Sequence, residues 1–213
     1  MVRADLIDRL VADLAPTPRH AAVRRLAIGI GAGLVVSAIL MLLWLGPRPD
    51  MMPAMATMAF WAKFAFTLLL GLAGIAAASR LARPTGRAGA PLAMTAIVLA
   101  VIAVLALVQF MMAPAPEHPA LLLGISALVC PWYIMALSLP LLVGALWAMR
   151  GLAPTRLTLA GAVAGLAAGG LGAFVYSFHC IESAMPFVAI WYSLGIAGAT
   201  MAGALLGRLM LRW

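Results

Sequence analysis

Six long apolar runs, at 26–45, 57–79, 92–112, 121–149, 157–178 and 186–207, occupy most of this chain. At a rise of about 1.5 Å per residue each is long enough, as a helix, to cross a hydrocarbon core about 30 Å thick. The breaks carry turn-forming residues: Gly46-Pro47-Arg48-Pro49-Asp50, Arg83-Pro84-Thr85-Gly86-Arg87, Pro114-Ala115-Pro116-Glu117-His118-Pro119 and Gly151-Leu152-Ala153-Pro154. With 66% hydrophobic and 9% charged residues, the chain lacks the polar shell of a water-soluble domain. The reading is an all-α polytopic membrane protein of about six spans, with no soluble domain inserted between them.

The formal charge of +8 is local in origin. With the N-terminus in the cytoplasm, Arg3, Arg9, Arg19, Arg24, Arg25, Arg80, Arg83, Arg87, Arg150, Arg156, Arg208 and Arg212 all fall on the inner side, against Arg48 and Lys63 on or near the outer side. That asymmetry predicts both termini in the cytoplasm of a bacterial inner-membrane protein. The cations therefore report orientation, and no direct nucleic-acid partner is expected. The first apolar run lies behind about 25 more polar residues and has no small-residue cleavage site after it, so it reads as a retained span.

Residues 1–20 form the sizeable segment outside the apolar runs, and 21–213 the six-helix membrane domain. Leu6, Ile7, Leu10, Val11 and Leu14 make one helical stripe, surrounded by Asp5, Asp8, Arg9 and Asp13, and Pro16 and Pro18 end it. The stripe needs a partner: the protein's own cytoplasmic face, lipid headgroups, or the groove of another protein. Its aspartates weigh against lipid. Leu6, Ile7, Arg9, Leu10, Val11 and Leu14 are the candidate partner-binding residues.

Gly29, Gly31 and Gly33 sit inside an apolar run with no preceding strand, which rules out a dinucleotide loop. Gly161, Gly165 and Gly169, with Gly203 and Gly207 in the last run, are small residues at four-residue spacing that let helices approach closely. Whether they pack within one bundle or between copies stays open, and a homo-oligomer with it.

The chain has two cysteines, both expected toward the outer side: Cys130, before Pro131, and Cys180, between His179 and Glu182. Proline favours the first turn of a helix, so a span from Pro131 to Arg150 would put Cys130 level with Cys180 and leave 121–129 as a re-entrant or interfacial piece. A helix from Leu121 kinked at Pro131 would instead sink Cys130 on the order of 13 Å. The thiols are small apolar core residues, a structural disulfide, or a sensing pair that binds a soft metal ion or oxidises reversibly. The last reading makes Cys130 and Cys180 the metal-binding candidates, His179, Glu182 and His118 auxiliary ligands, and a transient soft metal ion the sole cofactor. Glu117 and His118 otherwise read as solvated, Lys63 as snorkelling to the interface, and Trp44, Trp61, Trp132, Tyr133, Trp191 and Tyr192 as interface anchors.

Several of these residues fall into a recognisable pattern: Leu6-Ile7-Asp8-Arg9-Leu10, Phe60-Trp61-Ala62-Lys63, Cys130-Pro131, Tyr176-Ser177-Phe178-His179-Cys180-Ile181-Glu182-Ser183, and Phe187-Val188-Ala189-Ile190-Trp191-Tyr192. Over nearly its whole length the chain resembles the NrsF membrane anti-sigma factors, negative regulators of an extracytoplasmic-function sigma factor. The resemblance implies a regulator rather than an enzyme. Its cytoplasmic N-terminal helix would hold the sigma factor at the membrane, and heavy metal or oxidant acting on Cys130 and Cys180 would release it. The tail is short, so the loops at Arg80 to Arg87 and Arg150 to Arg156 would share the sigma-binding surface. The alternatives are a quinone-linked thiol oxidoreductase, which would be expected to carry paired Cys-x-x-Cys dithiols, and a small transporter, whose spans would carry ionisable residues beyond Lys63. Neither accounts for the N-terminal stripe.

Overall fold

The computed structural model describes residues 21–83, 86–152 and 154–212; the N-terminal stripe over 1–20 lies outside them. Among the described residues there are helices and no strands. Six helices are long and apolar enough to cross a membrane: α1 (Ala22–Leu45), α2 (Met58–Leu81), α3 (Gly89–Met112), α4 (Cys130–Arg150), α5 (Leu157–Tyr176) and α6 (Met185–Met210). Their alternation gathers Arg24, Arg25, Arg80, Arg150 and Arg208 at one end of the bundle, the arginine end, and both cysteines at the other, the thiol end.

Local sequence sets where the helices begin. Thr57 caps α2, its hydroxyl accepting the Phe60 N–H at 3.3 Å and donating to the Ala54 carbonyl at 2.8 Å. Of the two starts open to the fourth span, the structure has the later one. A short helix, His118–Leu123, stops at Gly124, whose φ of +50° favours glycine, and α4 starts at Cys130 with Pro131 in its first turn. Pro131 lacks the N–H that a first-turn residue would leave unpaired anyway, so it fits the start of a helix better than its interior. Wider π turns at Met41–Leu45 and Val188–Tyr192 shape α1 and α6 near the thiol end.

Helix α5 is the axis of the bundle: 78% of its most apolar window is buried, against 22% for α3 at the periphery. It packs on α6, α2 and α4, while α1 lies along α4 and α3 leans on α2. Small residues make this possible. A Cβ on Gly161 would meet the Gly203 carbonyl and the Gly207 Cα, and one on Gly170 would meet the backbone of Gly71. The small-residue stripes of α5 and α6 therefore mate within one bundle. In lipid, where burying apolar surface between helices gains little, such close approach supplies the dispersion energy that holds helices together. The outside is apolar as lipid requires, with Val104, Val143 and Leu205 exposed.

Candidate functional site

At the thiol end, the turn that leaves α5 brings Cys180 back toward the start of α4. The Tyr176 carbonyl accepts the N–H groups of His179 at 2.9 Å and of Cys180 at 3.0 Å, which fixes that turn. Cys130 and Cys180 are both free and buried, 0% and 3% exposed, and belong to one apolar cluster in which their side chains interact. Ile134, Leu137, Phe187 and Val188 belong to the same apolar cluster. Tyr176 is buried in the same cluster and interacts with both sulfurs. The Tyr192 hydroxyl, fully buried, approaches Cys180 and Ser177 without completing a hydrogen bond.

Two cations converge on the same loop. Lys63, expected to snorkel, is 0% exposed instead, and its Nζ donates to the carbonyls of Cys180 and Glu182, each at 2.8 Å. The reason is helical phase: Phe60, Lys63, Phe64, Thr67 and Leu70 share the buried face of α2, so the ammonium is directed into the bundle. Arg48 donates through Nη1 to the Cys180 carbonyl and through Nη2 to that of Ile181, both at 3.2 Å. It also makes a two-pronged ion pair with Asp50 at 2.7 and 2.8 Å, which holds the Asp50 carboxyl below the usual carboxylate range. Tyr192 also departs from the interface-anchor expectation. It is fully buried, whereas Trp44, Trp61 and Trp132 are exposed as anchors would be.

The expected auxiliary ligands are occupied elsewhere. The Nδ1 of His179 lies 2.9 Å from the Gly46 carbonyl; a carbonyl only accepts, so the proton is on Nδ1. The Glu182 carboxylate accepts the Ile125 N–H at 2.8 Å, and the Trp191 indole donates to the Leu122 carbonyl at 2.8 Å. His118, expected to be solvated, stacks on Phe110 with ring centroids 4.0 Å apart and bonds the Ala113 carbonyl at 3.1 Å. Among the described residues no group of three or more His, Cys, Asp and Glu side chains could hold a metal ion. The two sulfurs are the soft ligands the geometry brings together, and His179, Glu182 and His118 are not joined to them.

The contacts of Glu182 and Trp191 tie segment 118–129 over the thiols. Truncating Glu182 removes one charge-assisted hydrogen bond, worth about 1 kcal/mol after allowance for partial exposure. In Glu182→Ala, labelling of the two cysteines by a small alkylating reagent should rise about fivefold. An unchanged rate would mean that this segment does not control access.

Electrostatics make the sulfurs unequal. The Cys180 thiol is held below the ordinary thiol range, first by the hydrogen bond with Cys130 and then by the Lys63 ammonium, with contributions from Tyr192 and the Glu182 backbone, all opposing the cost of burial. Thiolate is the form that attacks oxidants and binds soft metals, so a thiol favoured in that form is chemically competent for either.

Fold and site together define an all-α polytopic membrane protein with two free thiols enclosed at one end of its bundle, beneath a loop held by Lys63 and Arg48. A family model described as "NrsF: Negative regulator of sigma F" matches residues 10–213, and the chain belongs to that family. It is 42% identical over 210 residues to the anti-sigma-F factor NrsF of Caulobacter vibrioides, covering 98% of each chain. It is 37% identical over 213 residues to the probable anti-sigma-F factor NrsF of Azospira oryzae, covering 100% of each. No solved structure matches the chain.

Proposed function

We propose that this protein is an anti-sigma factor of the bacterial inner membrane, with both termini in the cytoplasm. It sequesters an extracytoplasmic-function sigma factor through Leu6, Ile7, Arg9, Leu10, Val11 and Leu14, and releases it when heavy metal or oxidant acts on Cys130 and Cys180 from the periplasmic side. Family membership supports the sigma-factor partner. The observation that carries the sensing role is the contact between two buried free thiols, one at the start of α4 and one in the loop after α5. A ligand or oxidant that joins those sulfurs favours one arrangement of the bundle over another, which is the condition for any switch. The arginines at the opposite end support an outer location for that contact, by the positive-inside rule.

The test is purification of the membrane-extracted protein from its host, with and without cadmium or a thiol oxidant, and identification of what co-purifies. A sigma factor bound at rest and lost on treatment is the expected result. No soluble partner in either condition would defeat the proposal. Changing Leu6, Leu10 and Leu14 together to Asp should abolish capture while leaving membrane insertion intact, because three carboxylates on the apolar stripe cannot enter a partner's groove without a heavy desolvation cost. Undiminished capture would remove the N-terminal helix from the mechanism.

A further inference from the structure

Helices α1 and α2 pack on different partners, α1 along α4 and α2 along α5, and between them they leave a crevice of about 370 Å³ in the arginine half of the bundle. Val23, Ala27 and Ile30 form one wall, Leu72 and Ile75 the other, and Leu171 of α5 the floor. Val23 and Leu72 are 51% and 49% exposed whereas Leu171 is 6% exposed, so the crevice is open toward lipid and closed by the axis of the bundle. Its one side-chain hydroxyl, on Ser79, already donates to the Ala76 carbonyl at 2.9 Å, and the other lining side chains carry no polar atom. Water gains nothing in such a place, and a quinone ring would find no free donor for its carbonyls. An apolar chain suits it.

Length and charge narrow the occupant further. Along α1 the lining runs from Val23 to Leu34, about 16 Å at 1.5 Å per residue, roughly half of a 30 Å hydrocarbon core. That is the depth of one leaflet, the reach of an acyl chain whose headgroup stays at the arginine end. The mouth at that end is cationic. Arg24 stands one turn before Ala27 on α1, Arg83 stands one turn beyond Ser79, and both are exposed. The Arg83 N–H reaches the Arg80 carbonyl at 3.2 Å, so the chain keeps turning past the end of α2. The carboxylates of the described residues, Asp50, Glu117 and Glu182, all lie at the thiol end, so none of them neutralises these guanidinium groups. Guanidinium presents paired donors that match the oxygens of a phosphate.

We propose that this crevice is a binding site for one anionic phospholipid, with an acyl chain lying between α1 and α2 and the phosphate held by Arg24 and Arg83. The site is separate from the thiols and does not depend on the sigma-factor reading. Because α1 follows closely on residues 1–20 in the chain, a lipid seated here steadies the helix from which that segment departs.

The experiment is native mass spectrometry of the full-length protein, delipidated in detergent and titrated with dioleoyl phosphatidylglycerol or dioleoyl phosphatidylethanolamine, which share their chains and differ in net charge. Wild type should retain one phosphatidylglycerol with an affinity at least about tenfold above that for phosphatidylethanolamine, since each cation near an anionic headgroup is worth about fivefold. Arg24→Gln combined with Arg83→Gln should bring the two lipids to within about twofold of each other. Ala27→Phe, at an exposed position, places a ring in the crevice and should abolish retention of both. Equal retention of the two lipids by wild type, or an undiminished preference in the double arginine variant, would overturn the proposal. So would phosphatidylglycerol held by Ala27→Phe as by wild type, or a wild-type spectrum in which a second copy of the chain takes the place of lipid. If Ala27→Phe does not fold, the wild-type preference and the arginine variant, altered only at exposed positions, decide.

Discussion

Gly165→Leu should force α5 away from α6 and strongly destabilise the bundle. A Cβ at Gly165 would lie 2.7 Å from the Thr200 Cα and overlap the Ala199 carbonyl, both of them backbone atoms that cannot rotate aside. The rest of a leucine side chain has no space between helices packed this closely. Overpacking an interior costs about 1–3 kcal/mol when flexible side chains can yield. Where backbone meets backbone, the upper end of that range or more is expected. Thermal unfolding in detergent should show a Tm lowered by several degrees, with Gly31→Leu as the control, since a Cβ at Gly31 meets nothing within 4 Å. Equal effects at Gly165 and Gly31 would contradict the packing described. Because α5 also carries Tyr176 and the turn to Cys180, the same variant should disturb thiol labelling, linking the packing of the axis to the site it positions.

Cys180→Ser should leave repression intact and abolish the response to cadmium and to thiol oxidants. Serine fits the space, and Lys63 and Arg48 hold the loop through backbone carbonyls that the substitution leaves in place, so the loop keeps its shape. What disappears is the soft, oxidisable atom: an alcohol forms no disulfide and binds cadmium weakly. Induction of the sigma factor's target genes should therefore fall to the untreated level, a loss of the whole signal. Cys130→Ser should do the same for oxidant, because a disulfide needs both sulfurs. A reporter assay alongside co-purification of the sigma factor separates lost sensing from lost capture. A Cys180→Ser protein that still induced normally would refute the sensor proposal.

The helix count is legible in the sequence because length and apolar composition leave a chain in lipid no alternative that satisfies its backbone. Pro131 narrows the start of α4 to two choices, and packing settles it, since Pro131 sits in the first helical turn with Cys130 buried before it. Lys63 and Tyr192 depart from expectation for one shared reason: depth along the helix points to the interface, while angular phase turns both side chains inward. Lys63 lies on the same stripe as Phe60, Phe64 and Thr67, and Tyr192 lies one turn from Ile196 on the face that continues through Ala199, Gly203 and Gly207. A cation in phase with the buried stripe of a span is a readable sign that it serves the interior.

By itself, then, the sequence determined the class of fold, the alternation of the helices, the gathering of arginines at one end and the stripes along which helices approach. Periodicity and composition act locally, and hydrocarbon solvent makes them decisive. Tertiary structure alone decided which acid meets which base: Asp50 engages Arg48, Glu182 the Ile125 backbone, and Lys63 the carbonyls of Cys180 and Glu182. Apart from Arg48 and Asp50, two residues apart in one loop, those partners come from separate helices and loops, and hydrogen bonds and ion pairs act over a few ångströms. Their pairing is therefore set by how the helices pack and where the turns at the thiol end come to rest, which residue spacing along the chain does not specify.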